Sequence, residues 1–137
     1  MDESNLKGFT LDSRLEEGLT YLGELDLCQV RLMPDSECPW VVLIPKRPDV
    51  KEIHQLSPNH QQTLMKEIAH YSSLLEGLFT PDKINVGALG NMVPQLHIHI
   101  IARYKSDRAW PGPIWGIDGP TDKQFIAETF AALKARG

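Results

Sequence analysis

The sequence predicts an α+β domain in which one long helix covers one face of an antiparallel β-sheet. Residues 95–103 alternate between polar and apolar side chains, which is typical of a strand with one buried face. Residues 40–44 are a continuous apolar run that Pro45 closes, which indicates a central strand buried on both faces. Apolar residues recur at steps of four and three between Leu64 and Leu78, and this spacing predicts a long amphipathic helix.

The composition predicts a single domain over residues 1–137. The hydrophobic fraction is 42% and the charged fraction is 23%, which are ordinary values for a globular protein of 137 residues. A net charge of −4 at pH 7 argues against nucleic acid as a partner, because nucleic-acid-binding proteins usually carry a basic surface. The sequence shows no basic and apolar leader and no apolar stretch of membrane-span length, and Cys28 and Cys38 form no CxxC pair. We therefore expect a cytoplasmic protein with reduced thiols and no membrane partner.

Local patterns in the first half of the chain predict one short helix and three strands. Leu11, Leu15 and Leu19 lie at helical spacing, and Gly23 follows a short run of strand-forming residues. A polar turn at 34–37 connects two apolar segments, which are then expected to pair antiparallel. The predicted elements are a helix near 11–17 and strands at 20–22, 27–33 and 40–44.

In the second half of the chain, the long helix is followed by two strands and a final helix. Ser57 is a good N-cap and Pro58 suits the first helical position. The segment 110–116 is too rich in proline and glycine for a helix or a strand, and Thr121 with Gln124 resembles a capping box. The predicted elements are a helix from 58 to near 77–80, strands at 84–89 and 95–103, and a helix at about 121–136.

Two histidines on the strand at 95–103 are the strongest candidate functional residues. Side chains two residues apart on a strand point the same way, so His97 and His99 stand next to each other. Two neighbouring imidazoles can bind one metal ion, or they can present a nucleophile and a proton donor to one phosphorus atom. The third alternative is a strand whose outer face carries two histidines without any chemical role. Zinc takes three or four protein ligands, and the neighbouring sequence does not complete such a set, so we predict no metal and no cofactor.

Phosphoryl or nucleotidyl transfer suits the two histidines better. A neutral imidazole attacks phosphorus and leaves it again, and a hydrogen bond to the other ring nitrogen fixes its tautomer. The transferred phosphate needs hydrogen-bond donors around its oxygens, because charge develops there. Gln95, Asn91 and the backbone N–H groups near Gly90 are expected to supply these donors without adding charge.

This stretch and its surroundings resemble the histidine triad (HIT) superfamily of nucleotide hydrolases and transferases. The family signature alternates three histidines with apolar residues and ends in two apolar residues. Its counterpart here reads Gln95-Leu96-His97-Ile98-His99-Ile100-Ile101. The similarity covers roughly residues 20–116 and includes the strand that ends in Ile44-Pro45-Lys46, Asn85 with Gly90-Asn91, and Trp110-Pro111, which resembles an element of the phosphoramidate-hydrolysing branch.

The resemblance implies a hydrolase or transferase that acts on the α-phosphate of nucleoside phosphoramidates, adenylates or dinucleoside polyphosphates. It implies that His97 forms a covalent nucleotidyl intermediate, and that His99 contacts the phosphate on the leaving-group side. It also implies that Asn91 and Asn85 bind the phosphate, and that the protein is a homodimer.

Two residues depart from the family pattern. Gln95 replaces the first histidine of the signature, and Trp40 stands where many members have a fourth histidine. The indole N–H only donates, so we expect Trp40 to offer a flat surface to a base or to pack in the core. Leu32 falls where the family binds the ribose hydroxyls, and Asp35 is the nearest candidate for that role. These departures keep an alternative open, a nucleotide-binding or interaction protein with little or no catalysis.

Overall fold

The computed structural model describes residues 8–136, which form five strands and three α-helices around one sheet. The strands are all antiparallel and lie in the order β1-β2-β3-β5-β4. No helix within these residues combines the length and the apolar character that a membrane span requires. The elements are α1 (Ser13–Gly18), β1 (Thr20–Glu24), β2 (Cys28–Leu32), β3 (Trp40–Pro45), α2 (Pro58–Phe79), β4 (Lys83–Gly87), β5 (Ile98–Arg103) and α3 (Lys123–Arg136), with a 3₁₀ turn at Ile53–Gln55 before α2.

The main core lies between α2 and one face of the sheet, which confirms the predicted α+β fold. Alternate residues of the central strands pack there against the apolar stripe of α2. Ser57 starts this helix as predicted, because its hydroxyl oxygen accepts a hydrogen bond from the backbone N–H of His60 at 3.2 Å. The buried residues of this cluster include Val30, Val41, Leu43, Leu64, Ile68, Tyr71, Leu75, Ile98 and Ile100.

The other face of the sheet is also covered, by the N-terminal segment with α1 and by the loop that follows β5. All six residues of β3 are consequently buried, as the unbroken apolar run predicts. The residues that form this second cluster include Leu15, Leu19, Trp40, Val42, Ile44, Ile101 and Ile114. The histidine face of β5 therefore lies beneath other parts of the chain.

The strand predicted at 84–89 ends two residues earlier than predicted, at Gly87, and the predicted start of β5 and the predicted cap of α3 are also wrong. The strand predicted from residue 95 begins only at Ile98, because the N–H of Leu96 donates to the carbonyl oxygen of Val50 at 3.0 Å instead of joining the sheet. The capping box predicted at Thr121 and Gln124 does not form. The carboxylate of Asp122 caps α3 by accepting a hydrogen bond from the N–H of Phe125 at 3.0 Å.

A buried ion pair fastens the loop after β5. Nε of Arg103 and Oδ2 of Asp107 are 2.7 Å apart, and their side chains are 2% and 0% exposed. Arg103 also donates to the carbonyl oxygen of Gly112 at 2.8 Å. The hydrogen bonds from Arg103 hold the pKa of Asp107 well below its usual range. Asp107 further accepts hydrogen bonds from three backbone N–H groups of its own loop, those of Tyr104, Ala109 and Trp110.

Removal of one partner of the Arg103–Asp107 ion pair should lower the stability of the protein. The substitution Asp107→Ala leaves the charge of Arg103 buried without a counter-ion, so we expect the free energy of unfolding to fall by about 3–5 kcal/mol in urea denaturation. The control is Glu24→Gln, which breaks the ion pair of Glu24 with Lys46, in which the side chain of Glu24 is 42% exposed. It should change the same quantity by less than about 1 kcal/mol. Equal losses in the two variants would contradict the structural role of Asp107.

Candidate functional site

The two predicted imidazoles lie side by side where β5 begins. The ring centroids of His97 and His99 are 5.0 Å apart and their planes meet at 66°. The two residues are 8% and 6% exposed, so only a small part of each reaches the surface. The structure therefore brings together the two residues that alternation places on one face.

His97 is held by the backbone immediately before it. Nδ1 of His97 lies 2.7 Å from the carbonyl oxygen of Gln95. A carbonyl oxygen only accepts hydrogen bonds, so Nδ1 must carry a proton, and the neutral ring has its lone pair on Nε2. A ring fixed in this way presents a nucleophilic nitrogen at the end far from the backbone.

His99 lies deeper and is surrounded by aromatic rings. The indole N–H of Trp40 donates to Nδ1 of His99 at 2.9 Å. Burial, and to a smaller extent the neighbouring His97, lowers the pKa of His99 to about 4. The ring of His99 is therefore uncharged at neutral pH.

Trp115 is a site residue that the sequence does not predict. Its ring meets His99 edge-to-face at a centroid distance of 5.7 Å and Trp40 at 6.2 Å. Gly87 is the partner of His99 across β4 and β5. An added Cβ at Gly87 would lie 3.0 Å from Cη2 of Trp115, so the ring occupies the space that the glycine leaves.

The side chain of Gln95 is committed to the N-terminal segment. Its Oε1 accepts a hydrogen bond from the N–H of Asp12 at 2.8 Å, and its Nε2 donates to the carbonyl oxygen of Thr10 at 2.9 Å. The phosphate-binding role of Gln95 stays a prediction, since the NH₂ group has a second N–H beside the one that donates to Thr10. Gln95 therefore holds the N-terminal segment through its side chain and holds the ring of His97 through its backbone carbonyl oxygen.

Comparison with known proteins identifies the family of the chain. The family model of the HIT domain matches residues 14–106, which is more than half of the chain. The chain belongs to the HIT family.

Solved structures of other HIT proteins are similar to nearly the whole chain. A histidine triad protein from Bradyrhizobium japonicum is 42% identical with a TM-score of 0.89, and the match covers 94% of this chain and 98% of that one. A histidine triad protein from Sinorhizobium meliloti is 44% identical with a TM-score of 0.88, covering 95% and 97%. One from Marinobacter aquaeolei is 45% identical with a TM-score of 0.87, covering 93% and 94%. A search of curated proteins gave no match.

The contacts of Asp35 and Trp40 bear on the ribose-binding and base-binding roles predicted for them. Asp35 is 7% exposed, its carboxylate accepts hydrogen bonds from the N–H groups of Glu37 and Cys38, and it forms an ion pair with Arg108. These contacts shape the turn between β2 and β3, and they occupy the oxygens that ribose hydroxyls would need. Trp40 is 5% exposed, so its ring packs in the core and offers no open face to a base.

The two asparagines predicted to bind phosphate differ in their surroundings. Asn85 lies on the histidine face of β4, two residues before Gly87, and its Oδ1 accepts a hydrogen bond from Arg103 at 2.8 Å. This contact directs the carbonyl end of the amide to Arg103 and leaves the NH₂ end as the donor. Asn91 is exposed in the loop between β4 and β5. Both phosphate-binding roles stay predictions. Within residues 8–136, no group of three or more His, Cys, Asp or Glu side chains is arranged to hold a metal ion.

A substitution at Gly87 tests whether the ring of Trp115 is confined against this glycine. In Gly87→Ala the new methyl group meets the ring of Trp115, which is itself packed on His99 and Trp40, so we expect a loss of about 1–3 kcal/mol in the free energy of unfolding. The control Gly77→Ala adds a methyl group to α2 where nothing lies within 4 Å, and helix propensity should make it neutral or slightly stabilising. If Gly87→Ala is as stable as the parent protein in thermal and urea denaturation, Trp115 is not confined as described.

The lowered pKa of His99 has a consequence for stability at acid pH. The unfolded chain takes up this proton near pH 6.5, whereas the folded chain takes it up only near pH 4. The contribution of His99 to stability should thus be complete above about pH 6.5 and should be lost as the pH falls from 6.5 toward 4. An NMR titration of the His99 ring should give a midpoint near 4, and a midpoint near 6.5 would contradict the described burial. His99→Asn should flatten the stability profile between pH 6.5 and 4.

Proposed function

We propose that this HIT protein is an enzyme that cleaves the α-phosphate of a nucleotide from its leaving group through a covalent intermediate on His97. The substrates are nucleoside phosphoramidates, adenylates or dinucleoside polyphosphates. Membership of the HIT family supports nucleotides as the substrate class in general. The observation that carries the proposal is the hydrogen bond from Nδ1 of His97 to the carbonyl oxygen of Gln95, because it leaves the lone pair on Nε2.

The reaction proceeds in two displacements at phosphorus. In the first, the lone pair of Nε2 of His97 forms a P–N bond, and the bond from phosphorus to the leaving group breaks with its electron pair on the leaving group. In the second, water attacks the same phosphorus and releases a proton to solvent, the P–N bond breaks with its electron pair on Nε2 of His97, and the nucleoside monophosphate departs. The ring centroids of His99 and His97 are 5.0 Å apart, and this closeness supports a contact between His99 and the oxygens of a phosphate bound at His97. The buried, uncharged imidazole of His99 and the NH₂ group of Asn85 are the donors we assign to the phosphate.

A second candidate function is nucleotide binding without efficient turnover. The observation that favours it is the pair of hydrogen bonds that join Gln95 to Thr10 and Asp12, because they occupy the oxygen of this amide and one of its two N–H groups. Calorimetry with AMP would then show binding, while a panel of nucleotidyl substrates would show no product.

We also propose that the protein is a cytoplasmic homodimer that binds neither nucleic acid nor membranes. The dimer is supported by HIT family membership and by β4, which lies at an edge of the sheet within the described residues. Apolar side chains are exposed on β4 and in the loop after it, namely Val86, Leu89 and Met92.

Removal of the nucleophile tests the mechanism directly. His97→Asn keeps a polar side chain of similar reach but cannot form the covalent intermediate, so turnover of an AMP phosphoramidate should fall below detection while the circular dichroism spectrum is kept. The control is His70→Asn, because His70 is an exposed histidine on α2, and it should keep full activity. Brief incubation of the parent protein with the same substrate, followed by mass spectrometry, should find an adenylyl group on His97. Turnover by His97→Asn at the parent rate would refute the mechanism.

A further inference from the structure

The immediate surroundings of His99 contain two indoles that differ in one respect. Trp40 and Trp115 each meet His99 edge-to-face at a centroid distance of 5.7 Å. The N–H of Trp40 points at Nδ1 of His99 at 2.9 Å. The N–H of Trp115 is buried and has no hydrogen-bond partner among residues 8–136. Trp40 therefore both packs against His99 and donates a hydrogen bond to it, whereas Trp115 only packs against it.

The contact from Trp40 determines the form of the His99 ring. An indole N–H donates and never accepts, so Nδ1 of His99 must offer a lone pair. The proton of the neutral ring then lies on Nε2. Protonation of Nδ1 would place two N–H groups against each other over 2.9 Å, so the contact also opposes the cationic form.

The neighbouring histidine has the opposite arrangement. Nδ1 of His97 donates to a carbonyl oxygen, so its lone pair is on Nε2, whereas the lone pair of His99 is on Nδ1. Two imidazoles two residues apart thus present a nucleophilic nitrogen and an N–H donor. We propose that Trp40 is a positioning residue that fixes His99 in the Nε2–H tautomer and so makes His99 the hydrogen-bond donor to an unprotonated phosphate oxygen of the substrate.

This inference is specific about the substrate group that His99 contacts. A donor at Nε2 binds an oxygen that carries a lone pair and no proton, such as a non-bridging phosphate oxygen or the bridging oxygen of the leaving group. It cannot act as the general base that deprotonates water at its Nε2 atom, because that atom already carries the proton. The catalytic part of the inference rests on the proposed function, whereas the tautomer does not.

The test compares the same substitution at the two indoles. Full-length protein is labelled with ¹⁵N-histidine, and the tautomer of His99 is determined without substrate from the ¹⁵N shifts and two-bond couplings of its ring nitrogens. In the parent protein we expect an unprotonated Nδ1 and a protonated Nε2. Trp40→Phe keeps an aromatic ring and removes the donor, so the signals should move toward a mixture of tautomers. Trp115→Phe removes an N–H that bonds to nothing in residues 8–136, so the Nε2–H tautomer should persist.

Activity gives a second reading on the same variants. Loss of the fixed donor should lower kcat for an AMP phosphoramidate by about tenfold in Trp40→Phe, the factor that one hydrogen bond supplies. Trp40→His, which restores an N–H at the position, should recover part of both the tautomer and kcat.

Two results would overturn the proposal, and the first does not depend on the folding of any variant. A parent protein with the His99 proton on Nδ1 refutes it, and so does an equal shift of tautomer in Trp40→Phe and Trp115→Phe. A parent protein with the expected tautomer but no turnover of any nucleotide would refute the proposed function alone, and the tautomer result would still support the role of Trp40.

Discussion

The pairing register between β3 and β5 is the constraint on which both the core and the site depend. Trp40 pairs with Ile101 and Val42 pairs with His99, so Trp40 is the diagonal neighbour of His99 on the same face of the sheet. Diagonal neighbours in an antiparallel pair are within reach of long aromatic side chains. A slip of one residue would turn every side chain of one strand to the opposite face, which would empty the main core and separate the indole from the imidazole. Folding and the chemistry of His99 are therefore specified by the same backbone hydrogen bonds.

The elements of the fold could be predicted from sequence because their signals are local. The unbroken apolar run at β3 indicated burial on both faces, and Ser57 with Pro58 placed the start of α2 at the correct residue. The alternation around β5 assigned His97 and His99 to one face although residues 95–97 lie outside the sheet. The predicted side-chain directions are correct although the predicted start of the strand is not, because Leu96 still packs in the main core.

The partners of the polar site residues could not be predicted in the same way. Gln95 binds Thr10 and Asp12, which are more than eighty residues earlier in the chain, and nothing in the local pattern around Gln95 indicates that contact. Trp115 lies in a proline- and glycine-rich segment, where no periodicity gives the direction of a side chain. The role of Asp35 is a different case. An aspartate at the start of a turn commonly binds the backbone two and three residues later, so its structural role was readable from the turn itself.

The close approach of Trp115 to Gly87 joins two positions that are distant in the sequence. Strand β4 has no side chain at Gly87, and the ring of Trp115 from the loop after β5 fills the space that this glycine leaves. The two positions are expected to change together during divergence, with a larger residue at 87 accompanied by a smaller one at 115. A HIT sequence that has lost this glycine but kept the tryptophan would have to place the indole ring differently, and the histidine at the position of His99 would then be packed by another part of the fold.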